Sequence, residues 1–263
     1  MNAHPRRAAL AAAALLLSAL PARAQNPGTY LVGNIPVAVG IASVEFPVSP
    51  PFAAEFDLAL LGQGSYDNRN PFAYLSLVQP GGWLHFDGVE NLRLSLGFQE
   101  ELIRAVPSLG IKDSQEERGM ARARLQQPRG QAALYEMTQL DVRSFDDPAG
   151  THRVVFRPRF RLGQGFNLDA VRIHSLVLYE EVAFQFAADD YLARPFSFFR
   201  TVAGYTWTTR RGTFVTLGIV GQVSLNAPAT RYDVFWGPVL AFSHRFRSTA
   251  PETPPEPPEV DVQ

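Results

Sequence analysis

The chain has 263 residues, of which 46% are hydrophobic, 11% aromatic and 19% charged, and its formal net charge is −1. The absence of cysteine excludes disulfide scaffolds, thiolate metal sites, thiol nucleophiles and a lipid-bearing lipoprotein cysteine. The near-zero charge gives no electrostatic reason to expect nucleic acid as a partner.

Residues 1–24 read as a secretory signal peptide. Arg6 and Arg7 precede an apolar run from Ala8 to Leu20, and Ala22-Arg23-Ala24 supplies the small residues of a cleavage site before Gln25. The run falls short of the roughly 20 residues that span a bilayer as a helix. Residues 25–51 form an N-terminal segment in which Tyr30–Val48 could hold two further strands, broken by Pro36 and Pro47. Residues 52–246 carry the body of the fold. Residues 247–263, rich in proline and acid, offer no packing face and are expected to be a disordered tail.

No stretch of the body is apolar for 18 residues, so no membrane helix is predicted. Alternation with a period of two recurs instead. In Asn91–Ile103, Leu92, Leu94, Leu96 and Phe98 oppose Arg93, Ser95, Gly97 and Gln99. In Arg153–Gly163, Val154, Phe156, Phe160 and Leu162 oppose Arg153, Arg157, Arg159 and Arg161. In Thr213–Asn226, Val215, Leu217 and Ile219 oppose Thr216, Gly218 and Gln222. A helix would scatter these side chains around its circumference, whereas a strand sorts them to two faces. Strands are predicted at 52–63, 72–86, 91–103, 118–127, 131–145, 151–163, 171–187, 196–209, 213–226 and 232–246. Several are long enough to cross a bilayer at a tilt, which takes about 9–11 residues.

Strands that show apolar side chains to lipid must satisfy every backbone group within the sheet, and only a closed barrel does so. The sequence therefore predicts an all-β, closed up-and-down antiparallel transmembrane β-barrel of about ten strands, with eight or twelve as alternatives. An even count places both ends on one side. If Phe246 ends the last strand in the periplasm, the periplasmic turns are Asp87–Glu90, Pro128–Gly130, Gln164–Ala170 and Arg210–Gly212. The outer loops are then Gly64–Pro71, Arg104–Glu117, Asp146–Gly150, Ala188–Pro195 and Ala227–Arg231. Trp83, Tyr205 and Trp207 should form one aromatic belt, with Tyr232, Trp236, Phe196 and Phe198 in the other. A soluble sandwich or a lipocalin-like periplasmic binder is the competing architecture, because periodicity does not distinguish lipid from a protein core.

The body resembles small Gram-negative outer-membrane β-barrels, including an uncharacterised domain-of-unknown-function family of them. The resemblance rests on the arginine-bearing strand Arg153–Leu162, on Tyr135–Phe145 with Gln139, Asp141 and Arg143, and on the last arm Val234–Phe246. It implies that Phe246, with Leu240 and Phe242 on the same face, is the aromatic signal read by the insertion machinery. In this chain 17 residues follow Phe246 and His244 interrupts the apolar face.

Among polar features, Arg153, Arg157, Arg159 and Arg161 should face the lumen and meet Asp141, Arg143 and Glu181 in a charge network. In a narrow barrel such a network is expected to plug the lumen, with an anion-selective pore as the functional alternative. Glu180-Glu181 is expected to contain a bulge that turns both carboxylates inward. No catalytic or metal motif is found. His174 beside Ser175, and His244 beside Ser243, point to opposite faces, and His85, His152 and His174 lie on separate strands without metal-pair spacing. A serine–histidine–acid set assembled across strands stays open. Asp146-Asp147, Asp189-Asp190 and Asp67-Asn68-Arg69-Asn70 lack calcium-loop spacing and read as solvated turn residues. The expectation is a monomeric outer-membrane protein without cofactor, in contact with lipid and lipopolysaccharide, whose role is structural, passive channelling or surface binding. A membrane-embedded lipid hydrolase or acyltransferase is the alternative.

Overall fold

The computed structural model describes residues 31–147, 150–169, 173–187, 196–209, 212–225 and 231–246. The proposed signal peptide, the tail after Phe246 and the Asp189-Asp190 pair lie outside the described residues. The strands in chain order are β1 (Leu31–Ser49), β2 (Phe52–Gln63), β3 (Tyr74–Val89), β4 (Leu92–Ile103), β5 (Ser114–Arg129), β6 (Ala132–Asp146), β7 (His152–Asn167), β8 (His174–Phe184), β9 (Phe186–Ala187), β10 (Phe196–Thr208), β11 (Thr213–Leu225) and β12 (Arg231–Arg245). Both β8 and β9 pair with β7, so β9 continues β8 after a break at Gln185, and the sheet counts as eleven strands.

The sheet closes on itself through neighbouring β1 and β12. Every consecutive pairing from β1 to β12 is antiparallel. With an odd number of strands, β12 must then run in the direction of β1, so the closing seam is parallel. Contacts along it rise together in residue number: the Trp236 indole donates to Asn34 Oδ1, Ser43 Oγ bonds Ser243 Oγ at 2.9 Å, and the Phe246 amide donates to the Glu45 carbonyl at 2.8 Å. The barrel class and approximate size agree with the sequence reading. The even strand count does not, nor do ends on one side, because β1 starts at the end of the barrel opposite to where β12 finishes.

Residues 31–49 form one strand rather than two. Proline cannot donate to a ladder and belongs at strand starts or irregularities. Pro36 precedes the first β1–β2 partner pair, Val37 and Gln63, while Pro47 lies at a register shift between Pro47 and Ser49. Both prolines thus sit where a missing donor costs least.

The three two-residue turns, 50–51, 90–91 and 130–131, all lie at one end of the barrel, and the two ten-residue connections, 64–73 and 104–113, at the other. The first end also carries residues 168–173 and 209–212, and the second 147–151, 188–195 and 226–230. The long-loop end is partly capped. Ser65 and Val106 are buried, the Tyr66 hydroxyl donates to Asp233 Oδ1 at 3.0 Å, and Tyr66 and Leu109 pack on the interior.

The two faces of the sheet are inverted relative to a water-soluble domain. Phe56, Leu96, Phe98, Phe160, Leu162, Leu217, Ile219 and Leu240 are exposed on the outside, while Arg118, Arg159, Asp141, Glu101 and Arg200 are fully buried inside. Alternation of burial along β7 and β8 is strict. The interior itself has two sides. Ile35, Val37, Val39 and Ile41 of β1 pack with Leu61, Val220, Phe235 and Val239 in an apolar cluster near the seam. The wall built by β4 to β8 carries most of the buried charges.

Candidate functional site

Register brings arginines and carboxylates together on the inward face of β4 to β8. Arg157 stands opposite Asp141 and Arg161 opposite Glu181, whereas Arg118 faces Arg143 and Glu101 faces Glu116, and these like-charged neighbours are paired along the strand and on the diagonal. Arg157 Nη2 lies 2.8 Å from Asp141 Oδ2, and Arg159 Nε donates to Glu181 Oε1 at 2.6 Å. Arg161 donates twice to Glu181 Oε2, at 3.0 and 2.8 Å. Arg143 grips both oxygens of Glu116, while Arg118 joins Glu116 to Glu101, each at 2.5 Å. Amides knit these pairs together: Gln139 donates to Asp141, and Gln79 to Glu101, each at 2.7 Å. Arg153 stands nearer the long-loop end and pairs with Asp147 at 2.9 Å. The structure therefore brings together Arg157, Arg159, Arg161, Asp141 and Glu181, with Arg143 on a neighbouring carboxylate. Sequence reading did not single out Glu116, Arg118, Glu101 or Arg200. Each has the inward parity of its strand, but ordinary alternation marks a face and not a partner.

Several expectations need correction. Glu180-Glu181 contains no bulge: the register against β7 and β10 runs unbroken, so Glu181 points inward and Glu180 lies exposed on the apolar face. Trp83 belongs to no belt. It points into the lumen, is 5% exposed, donates to Asp57 Oδ2 at 3.0 Å and carries the Arg122 guanidinium 3.8 Å over its ring. Phe198 is likewise buried inside, beneath Arg200, because it shares the inward phase of Arg200, Val202 and Thr206 along β10. Tyr205, Trp207 and Trp236 do lie exposed on the outside, Tyr232 is half-buried, and Phe246 is exposed in edge contact with His244. Asp147 is buried rather than solvated, taking the Thr151 amide and the Arg153 guanidinium.

A second polar centre lies inside the short-turn end. Arg93 binds both oxygens of Glu45, at 2.9 and 3.1 Å, and both of Asp87. Arg245 adds a contact to Glu45 at 3.1 Å. One layer deeper, three adjacent strands contribute Glu55, His85 and Ser95. His85 Nδ1 lies 2.8 Å from Ser95 Oγ, and His85 Nε2 lies 3.0 Å from Glu55 Oε2. Sequence spacing offers no signal for this set, since it exists only through cross-strand register. Ligand atoms of Glu45, Glu55 and His85 fall within 4.8 Å of one another, a donor set that could suit a divalent ion. Both oxygens of Glu45, however, already accept from guanidinium groups, whose positive charge opposes a cation there.

No family model matches the chain, and neither a curated protein nor a solved structure matches it significantly.

Proposed function

We propose that this protein is a transmembrane barrel of the bacterial outer membrane, exported by its N-terminal signal and acting as a non-conducting scaffold that presents its long loops outward. One observation carries the reading: charged side chains fill the inside while large apolar ones cover the outside. In water this outer face would be one continuous apolar patch, far beyond the few hundred Å² that monomeric soluble proteins expose. Transferring a single Leu or Phe side chain out of water is worth about 1.5–3 kcal/mol, so the whole girdle strongly favours an apolar solvent. Closure through the β1–β12 seam leaves no open edge, as hydrocarbon requires. Phe56, Leu96 and Phe98 flank Gly82 to leave a groove of about 390 Å³ on this face, a shape that acyl chains can fill. The same inversion argues against a soluble lipocalin-like binder, whose exterior must be polar.

Non-conduction follows from the fully buried ion pairs across the interior, because a water-filled path would solvate them. The partners of this reading are lipid and lipopolysaccharide, with Phe246 as the feature read by the insertion machinery and a single copy as the functional unit. Membrane fractionation with heat-modifiable gel mobility tests it: the folded chain is expected in the outer-membrane fraction, with boiled and unboiled bands apart. Planar-bilayer recordings should show no steady conductance. Recovery in the soluble fraction with one band would overturn the proposal. A lipid hydrolase is the second reading, favoured by the arrangement around His85.

A further inference from the structure

We propose that Ser95, His85 and Glu55 form a nucleophile–base–acid relay that hydrolyses esters bearing an anionic group, reached from the short-turn mouth of the barrel. The inference concerns an activity and does not depend on membrane placement. Donor and acceptor bookkeeping fixes the polarity of the relay. An ionised Glu55 can only accept, so in the neutral imidazole Nε2 carries the proton, at 3.0 Å from Glu55 Oε2. Nδ1 then presents its lone pair to Ser95 Oγ at 2.8 Å, and the serine must be the donor. A serine hydroxyl aimed at an unprotonated imidazole nitrogen whose other nitrogen is held by a carboxylate is the arrangement that activates an oxygen nucleophile.

The scaffold holds this set rigidly. His85 and Ser95 are direct partners across β3 and β4 and are nearly fully buried. Arg122 of β5 stands directly opposite Ser95, and Arg124 opposite Arg93, two residues away. Opposed inward side chains of an antiparallel pair start about 5 Å apart, so guanidinium groups border the nucleophile. Arg122 is braced by the Trp83 ring and by Gln139 Oε1 at 2.6 Å. Such cations stabilise an oxyanion and select a substrate carrying its own negative charge. Ser95 and His85 lie one layer below the Arg93–Glu45–Asp87 pairs, so a substrate entering from the short-turn side must pass these groups. There the side chains of Asp87 and Arg245 are 41% and 36% exposed and that of Glu55 is 23% exposed. In the other direction, Gln99, Glu101 and Arg118 close the lumen.

In the acylation step Ser95 Oγ bonds to the ester carbonyl carbon while its proton passes to His85 Nδ1. The ester C–O bond then breaks and His85 returns the proton to the leaving alcohol. In the second step His85 takes a proton from water as the water oxygen bonds to the acyl carbon; the bond from that carbon to Ser95 Oγ then breaks, His85 returns the proton to Oγ, and a carboxylic acid is released.

The test uses the full-length protein, with heat-modifiable mobility as the fold check for each variant. A fluorophosphonate probe should phosphonylate Ser95 as mapped by mass spectrometry, and S95A should abolish the label. H85A should slow labelling at least 100-fold, in line with the general-base range of about 10²–10⁴. E55Q should slow it about tenfold, with E55D restoring much of the rate. Because the chain lacks cysteine, S95C supplies a unique thiol. Its reaction with an anionic methanethiosulfonate should be at least tenfold faster than with a cationic one, and at least tenfold faster than in S95C/H85A. A folded protein whose Ser95 resists the probe, or an S95C thiol indifferent to reagent charge and to H85A, would overturn the proposal and leave the barrel reading untouched.

Discussion

Replacing Glu181 by glutamine tests whether the lumen is dry. The carboxylate is fully buried and accepts from Arg159 at 2.6 Å and from Arg161 at 2.8 and 3.0 Å, with both guanidinium groups at most 2% exposed. Glutamine keeps the volume, so no cavity term enters, but it removes the negative charge and turns an NH₂ toward N–H donors. Removing one partner of a buried pair costs about 3–5 kcal/mol, because an uncompensated charge is left behind. Here two arginines lose the charge they share, while Arg159 retains a longer contact to Asp141 at 3.5 Å. The expected loss for E181Q is therefore at least about 3–5 kcal/mol in urea unfolding followed by tryptophan fluorescence. Substituting the whole set, R159M/R161M/E181L, removes the charges together and should lie within about 1 kcal/mol of the parent, or above it. A change under about 0.5 kcal/mol for E181Q would mean that water solvates these groups, as for surface pairs, and would refute the plugged lumen.

Two further outcomes follow from the same geometry. Ile219 is 66% exposed at the middle of β11, so I219R should destabilise the vesicle-inserted protein by about 2–4 kcal/mol. An aqueous outer face would tolerate it without loss. Ser43 and Ser243 meet at 2.9 Å across the seam, so S43C/S243C in this cysteine-free chain should oxidise to an intramolecular disulfide, seen as a non-reducing gel shift. Failure to crosslink in the folded band would contradict the parallel closure.

Much of the barrel was legible in the sequence because alternation survives wherever one face is polar. The strand expected at 52–63 coincides with β2, and those at 91–103 and 213–226 differ from β4 and β11 by one residue. β1 was obscured because Ile35 to Val39 are all buried, Pro36 included, which erases the period of two. The odd strand count could not be foreseen without that strand. Trp83 was misassigned because Pro80, Gly81 and Gly82 before it define no face, and Phe198 because Phe196, Phe198 and Phe199 put aromatic rings on both parities, although Phe198 is in phase with the buried Arg200 and Val202. The arginine face of β7 was readable, while its partners on β6 and β8 depended on register. The same limit hid Glu55, His85 and Ser95, which come from three strands and meet only when β2, β3 and β4 align.

What surrounds the outer face decides whether this barrel spans a membrane. Single cysteines placed at residues 215 to 220 of β11, spin-labelled in liposome-inserted protein, measure it directly. Oxygen accessibility should peak at Leu217 and Ile219 and collapse at Thr216 and Val220, while a water-soluble nickel relaxant reaches none of the four. Strong nickel accessibility at Leu217 and Ile219 would place that face in water and contradict the central claim.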